Sequence, residues 1–140
     1  MDVRLAVAAV LACLAFAAQA ASEGVKAVYH MNGGVEQAPL FLRNIRNHLS
    51  VDPKAKIVVV THGAGINFLK RGAKDRNGNP FEVGVQTLVS EGVEFRVCEI
   101  TLKADKVDRK QLIDDVMFVP SGVAEIARLQ VQEGFAYLKP

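Results

Sequence analysis

The sequence Lys56-Ile57-Val58-Val59-Val60-Thr61 contains an unbroken run of β-branched residues after its first position. Such side chains favour extended structure, and a strand without alternating polar positions is one whose two faces are both covered. Strands of this kind are typical of parallel sheets that lie between layers of helices. The run therefore predicts a central strand of an α/β domain.

Helix-like and strand-like segments alternate on both sides of this run. Apolar residues recur at helical spacing in segments 37–49, 81–91 and 122–133. Strand-like segments with β-branched, aromatic or alternating apolar residues are 25–30, 93–98, 116–119 and 135–138. The alternation predicts an α/β fold, a three-layer α/β/α domain with a five-stranded parallel sheet.

Residues 1–20 have the organisation of a secretory signal peptide. Leu5–Phe16 is an apolar run, and Ala18-Gln19-Ala20 is an A-x-A cleavage site. The run is short for a helix that spans a bilayer, although an uncleaved N-terminal anchor stays open as the alternative. We expect cleavage after residue 20, a single mature domain at 21–140, a periplasmic or secreted location, and no stable membrane insertion after cleavage.

Composition argues against several classes of function. The formal net charge of +2, without a basic run interleaved with aromatics, does not favour nucleic-acid binding. The histidines and cysteines lack the spacing of a metal site, and no Gly-x-Gly-x-x-Gly, Walker or Gly-x-Ser-x-Gly motif is present. We therefore expect no metal, no cofactor and no nucleic-acid partner.

Cys98 is the chemically distinctive residue. It ends the alternating strand Val93-Glu94-Phe95-Arg96-Val97-Cys98, and the carboxyl ends of parallel strands are where ligands usually bind. If Cys13 leaves with the signal peptide, Cys98 is the only thiol of the mature chain. It is then a reactive thiolate, a small buried hydrophobic side chain, or one half of a disulfide between chains. The adjacent Glu99 opposes thiolate formation.

Five further residues are expected near this cysteine. His62 ends a neighbouring strand, where it pairs with the thiolate, donates to a bound sulfur anion, or caps loop carbonyls. His30 ends the first strand and Gly63 directly follows His62, and both are candidates for anion binding. Ser121 and Gly122 begin a helix whose free N–H groups bind an anion such as sulfite or thiosulfate, or are simply capped.

Four pieces of the chain, within about residues 25–140, resemble the DsrE/DsrF-like family in its small exported branch. They are the segment Val58–Gly63, the strand that ends at Cys98, the turn Val119–Val123 and the C-terminal Leu129–Pro140. The resemblance implies a five-stranded parallel α/β/α domain that assembles into trimers or hexamers. It also implies a cysteine that carries sulfur as a persulfide in a relay. Family members often have an asparagine shortly after the cysteine, where this chain has Ile100.

Two functional hypotheses follow. The first is an exported DsrE-like protein in sulfur handling, at most a sulfurtransferase-type carrier. In it Cys98 accepts sulfane sulfur from a donor protein and relays it to an acceptor, supported by His62. The second is a non-catalytic oligomeric binding module whose cysteine is structural.

The chain is also expected to form a homo-oligomer. A small parallel sheet must cover its two faces and its edges, and the predicted helices are few and short. The candidates for apolar surface that neighbouring subunits would cover are Phe81, Phe118, Phe135 and Tyr137.

Overall fold

The computed structural model describes residues 24–140, and the predicted signal peptide at 1–20 lies outside them. Within this range, all strands are parallel and form a single sheet in the order β4-β3-β2-β1-β5. The strands are β1 (Lys26–Met31), β2 (Lys56–Thr61), β3 (Glu94–Cys98), β4 (Val116–Val119) and β5 (Ala136–Leu138). The predicted α/β/α fold with a five-stranded parallel sheet is confirmed.

One face of the sheet, here called the first face, carries the larger core. It is covered by α1 (Ala38–Val51), α2 (Phe81–Ser90) and a 3-10 segment, Gly63–Leu69. Phe68 lies at the centre of this core, where its ring meets those of Phe41, Phe81 and Phe95 at centroid distances of 6.1–6.4 Å. Full burial of an apolar side chain of this kind contributes about 1.5–3 kcal/mol. The first face has the larger cluster of such side chains and therefore supplies most of the hydrophobic stabilisation.

The opposite, second face is covered by one helix among the described residues, α4 (Gly122–Glu133). Ile126 and Leu129 of α4 pack on the valines of β1 and β2, namely Val28, Val58 and Val60. The helix contacts β1, β2 and β3, while Met117 of β4 remains half exposed. The second face is therefore only partly covered within one chain.

Two of the four aromatic residues expected at a subunit contact are core residues instead. Phe81 and Phe135 are 5% and 4% exposed, respectively, so the expectation was wrong for both. Phe81 begins α2 and packs edge-on against Phe68, and Phe135 closes the core under α4. Phe118 is half buried beneath the guanidinium of Arg109, 4.6 Å from the ring centroid. Tyr137 is exposed.

A short helix, α3 (Glu99–Ala104), follows β3 directly and was not predicted. Its six residues make fewer than two turns, so no repeating apolar pattern can form in the sequence. Leu102 nevertheless anchors it in the core of the first face. The other helices and strands begin and end within two residues of their predicted bounds.

The connections after β3 and β4 place a crevice at the carboxyl edge of the sheet. The chain leaves β3 through α3 toward the first face, whereas it leaves β4 through α4 toward the second face. In open α/β sheets ligands bind where neighbouring strands diverge in this way. Cys98 pairs with Val119 at this point. No helix within residues 24–140 is long and apolar enough to cross a membrane.

Candidate functional site

The structure brings Cys98 and His62 together around the first residue of α4. A Cβ atom placed on Gly122 would lie 3.2 Å from the Cβ of Cys98 and 3.2 Å from the Cβ of His62. Few real Cβ contacts are that close, so a residue larger than glycine would push the helix away from the strand ends. The absence of a side chain at residue 122 is therefore what lets the start of α4 reach the cysteine.

The environment of Cys98 favours its thiolate although the residue is only 5% exposed. Burial by itself raises the pKa of the Cys98 thiol. Hydrogen bonds from the backbone N–H of Gly122, from the N–H and hydroxyl of Thr101, and from the N–H of Ile100 act in the opposite direction. They outweigh burial, so the pKa of Cys98 lies below its ordinary value. The pocket can therefore hold a negatively charged sulfur.

Thr101 connects Cys98 to the loop that follows β2. Its hydroxyl oxygen accepts a hydrogen bond from the backbone N–H of Gly63 at 2.9 Å, which leaves the hydroxyl hydrogen free to point at the sulfur. Gly63 has φ of 53°, a left-handed conformation that suits glycine and that aims its N–H across the crevice. Sequence reasoning missed Thr101. Its position three residues after Cys98, in the first turn of α3, was the available signal.

A second polar chain runs from His62 away from the cysteine. The Nε2 atom of His62 lies 2.6 Å from Nε2 of His30, and Nδ1 of His30 lies 2.7 Å from the hydroxyl of Tyr137. The two imidazole planes differ by 26°, with centroids 4.7 Å apart. Because the nitrogens are so much closer than the centroids, the rings meet end to end through an N–H···N hydrogen bond rather than face to face. Tyr137 was not predicted as a site residue.

Both histidines of this hydrogen-bonded series, His30 and His62, are held in the neutral form near pH 7. Burial, the neighbouring His62 and the charge of Lys139 lower the pKa of His30 to about 4. Burial and the same lysine lower the pKa of His62. Neutral imidazole has one donor and one acceptor nitrogen, so each ring can pass a proton from one side to the other.

His62 does not contact the sulfur of Cys98 through a hydrogen bond. Its Nε2 is occupied by His30, and its Nδ1 has no hydrogen-bond partner within residues 24–140. The pairing of imidazole with thiolate considered from the sequence is therefore absent from this structure, and backbone N–H groups and Thr101 stabilise the thiolate instead. His62 is half buried, beside the pocket rather than bonded to the sulfur.

Ser121 serves as the cap of α4. Its hydroxyl accepts a hydrogen bond from the N–H of Ala124 at 3.4 Å, which satisfies one of the free groups at the helix start. The N–H of Gly122 is the one directed at the cysteine. Of the two residues expected to form an anion site here, one caps the helix and the other contacts the sulfur.

A half-buried ion network fixes α4 over the sheet. Arg96 of β3, whose side chain is 14% exposed, forms ion pairs with Glu94 and with Glu125 of α4. Glu125 also accepts from Arg128 at 2.8–2.9 Å. Charge pairs at this depth are costly to break because the remaining partner stays buried. The network therefore helps to hold the start of the helix against Cys98.

The negative charge next to the cysteine is compensated. Glu99 forms an ion pair with Arg109, the residue whose guanidinium lies over Phe118. The two residues also line an open cleft of about 370 Å³ beyond α3, together with Leu102, Lys103, Lys106, Val107 and Asp108. Cys98 does not line that cleft. Within residues 24–140 no group of three or more His, Cys, Asp or Glu side chains is arranged to hold a metal ion.

Fold and site together define a small parallel α/β/α protein with the thiol of Cys98 held at the carboxyl edge of its sheet. The chain belongs to the DsrE/DsrF-like family, whose family model matches residues 5–140.

Solved structures agree with this assignment. A protein of unknown function from Methanobacterium thermoautotrophicum, MTH1491, is 32% identical, with a TM-score of 0.73 over 83% of this chain and 99% of that one. The ychN protein from E. coli, at 17% identity, has the same fold, with a TM-score of 0.69 over 82% of this chain and 97% of its own. No curated protein sequence matches the chain.

Proposed function

We propose that the protein carries sulfane sulfur as a persulfide on Cys98. The observation that supports this most directly is the set of hydrogen-bond donors around the sulfur, which lowers the pKa of Cys98 in spite of its burial. A thiolate is the form that attacks sulfane sulfur, and the same donors can stabilise a persulfide anion. Membership of the DsrE/DsrF-like family is consistent with a sulfur relay.

The reaction is an exchange of one sulfur atom between two thiols. The Cys98 thiolate attacks the outer sulfur of a donor R–S–SH and forms the new S–S bond of Cys98–S–SH. The donor's S–S bond breaks, and R–S⁻ leaves and takes up a proton, which restores R–SH. Neither an external oxidant nor a reductant is needed, because the sulfane sulfur keeps its oxidation state. The reverse exchange, with an acceptor thiol, returns Cys98 to its starting state.

Access to the sulfur selects the kind of donor. With Cys98 5% exposed, a bulky disulfide cannot align with the sulfur, whereas polysulfide or the end of a persulfide side chain can. The half-buried His62 lies beside the pocket, where we assign it the role of the acid that protonates the departing thiolate and of the base in the reverse exchange. The pocket is shaped by Gly63, Gly122 and Ser121. His30 supports His62 through the hydrogen bond between their Nε2 atoms.

The second candidate is a binding module with a structural cysteine, and the burial of Cys98 is the observation that favours it. One experiment separates the two. Incubation of the mature chain with polysulfide should add ~32 Da for each sulfur atom, removable by reduction and absent from Cys98→Ser. If no mass is gained and the thiol of the native protein resists alkylation until denaturation, the structural cysteine is correct.

We also propose that the protein is exported, with residues 1–20 removed, and therefore acts in the periplasm or outside the cell. The apolar run Leu5–Phe16 and the A-x-A site support this. Intact-mass measurement of protein recovered from the periplasm or medium should give a chain that begins at Ala21. Full-length protein in the membrane fraction would instead support the uncleaved anchor.

A homo-oligomer, a trimer or hexamer, is the remaining part of the proposal. Exposed apolar side chains on the partly covered second face support it, above all Met117, Val123 and Tyr137 at 51%, 61% and 42% exposure. Sedimentation at micromolar concentration should give a trimer or larger species, and Met117→Lys should shift it toward monomer. A monomeric wild-type protein would contradict this proposal.

A further inference from the structure

We propose that Tyr137, His30 and His62 form a proton relay from solvent to the cysteine pocket, in which Tyr137 is a positioning residue. The inference rests on the proposed sulfur transfer and adds the route of its proton. Two hydrogen bonds in series connect the three side chains: the Tyr137 hydroxyl lies 2.7 Å from Nδ1 of His30, and Nε2 of His30 lies 2.6 Å from Nε2 of His62.

The Tyr137–His30–His62 series has two possible arrangements of its protons, and each arrangement satisfies both hydrogen bonds. In the first, the Tyr137 hydroxyl donates to His30 Nδ1, His30 Nε2–H donates to His62 Nε2, and His62 carries its proton on Nδ1. In the second arrangement every hydrogen bond runs in the opposite direction, and Nδ1 of His62 carries no proton. His62 is thus an acid in the first arrangement and a base in the second, without any change in the charge of either ring.

The surroundings keep the two imidazoles of this series in their neutral forms. Lys139 is the cation that acts on both imidazoles, and it disfavours an added positive charge on either. Cys98 is an ionisable group close to His62, since a Cβ placed on Gly122 would lie 3.2 Å from the Cβ of each. A pair of neutral rings can move a proton by successive short hops, whereas a doubly protonated imidazolium has no acceptor nitrogen left.

The two ends of the Tyr137–His30–His62 series differ in their exposure and in their pairing. Tyr137 is 42% exposed, so its hydroxyl can take a proton from water. Nδ1 of His62 has no hydrogen-bond partner within residues 24–140, and Cδ2 of the same ring would lie 3.5 Å from a Cβ placed on Gly122, whose N–H contacts the cysteine. When the donor's R–S⁻ leaves, it takes the Nδ1 proton. Protons then move from His30 to His62 and from Tyr137 to His30, and water reprotonates Tyr137.

A matched tyrosine–histidine pair on the first face serves as the control. The hydroxyl of Tyr29, in β1, lies 2.9 Å from Nδ1 of His48, so Tyr29→Phe removes the same kind of hydrogen bond at a place outside the Tyr137–His30–His62 series. Tyr137 contacts His30 but not His62 through a hydrogen bond. An effect of Tyr137→Phe on His62 must therefore pass through the His30 ring.

The first test is the ¹⁵N NMR spectrum of the imidazole nitrogens in the mature chain, which reports the protonated nitrogen of each ring. Tyr137→Phe should change the tautomer populations of both His30 and His62, whereas Tyr29→Phe should change His48 alone. If Tyr137→Phe alters His30 and leaves His62 unchanged, the rings are not coupled and the relay is wrong. This readout does not depend on sulfur transfer.

The second test is the rate of persulfide formation with polysulfide. We expect His62→Ala to slow it by about 100-fold and Tyr137→Phe by about 10-fold, with Tyr29→Phe within about 2-fold of wild type. The solvent deuterium isotope effect on the rate should also be larger in Tyr137→Phe than in wild type, because proton delivery then limits the reaction. Normal rates in Tyr137→Phe would overturn the relay. A wild-type protein that takes up no sulfur would overturn the proposed function, whatever the NMR result.

Discussion

Cys98 and His62 stand at the ends of neighbouring parallel strands, and the same backbone position, residue 122, separates them. A Cβ there would be 3.2 Å from the Cβ of each. The start of α4 is thus wedged between a thiol and an imidazole, and its backbone N–H contacts the thiol. Because this contact depends on a missing side chain, it can be tested by adding one.

Gly122→Ala should destabilise the protein by about 1–2 kcal/mol, because neither Cβ that faces the new methyl group can move without its backbone. The displaced N–H should also raise the pKa of Cys98. Gly84→Ala in α2 is the control. Its new methyl would find side-chain atoms at 3.7–3.8 Å, so it should stabilise the helix by about 0.5–1 kcal/mol. Denaturant unfolding measures the stability of both variants. A Gly122→Ala variant as stable as wild type would contradict the close contact.

Thr101→Val should raise the pKa of Cys98, since it removes a hydroxyl that stabilises the thiolate. It should also cost about 1–3 kcal/mol, because the N–H of Gly63 loses its acceptor. The pH dependence of alkylation by a small reagent gives the pKa. Thr101→Ser keeps the hydroxyl and should restore the wild-type profile. Equal profiles for the valine and serine variants would show that the hydroxyl does not act on the sulfur.

Stability should fall as the pH is lowered from 6.5 toward 5. The pKa of His30 is lowered from 6.5 to about 4 by folding, so in this window the unfolded chain binds a proton that the folded chain does not. The folded state is therefore fully favoured above pH 6.5 and loses stability as the pH falls. His62, whose pKa is also lowered, adds to the effect.

Thermal unfolding at several pH values between 5 and 7.5 measures this dependence. In His30→Gln the decrease in Tm between pH 6.5 and 5 should be smaller than in wild type. The chosen pH range stays above 4.5, the ordinary pKa of a glutamate side chain. The pKa of Glu125 is lowered from that value, so Glu125 changes the stability only at lower pH. A wild-type Tm that is constant from pH 7.5 to 5 would contradict the neutral histidine pair.

Thr61→Val should leave the stability unchanged or raise it by about 1 kcal/mol. The hydroxyl of Thr61 is fully buried and has no hydrogen-bond partner among the described residues, so folding desolvates it without compensation. Valine has nearly the same shape. Denaturant unfolding should thus show a loss of stability in Thr101→Val and no loss in Thr61→Val, because only the Thr101 hydroxyl is hydrogen-bonded. A loss above about 1 kcal/mol in Thr61→Val would reveal a partner for this hydroxyl.

Much of the site was accessible from the sequence because parallel strands share a direction. Cys98, His62 and His30 each end or follow a strand, so a parallel sheet must bring them to one edge whatever the strand order. The membership of the DsrE/DsrF-like family was likewise readable from short motifs. By contrast, α3 and the role of Thr101 were not predicted, because a helix of six residues is too short to show a periodic pattern.

The sequence by itself determined the strands, the longer helices and the edge at which the cysteine lies, since these follow from local patterns of apolar residues. Only the tertiary structure decided which side chains meet there. Tyr137 contacts His30 because β5 pairs with β1 across the sheet, 107 residues away in the chain. Phe81 and Phe135 are core residues for the same reason: burial depends on which elements pack together, and that information is not local.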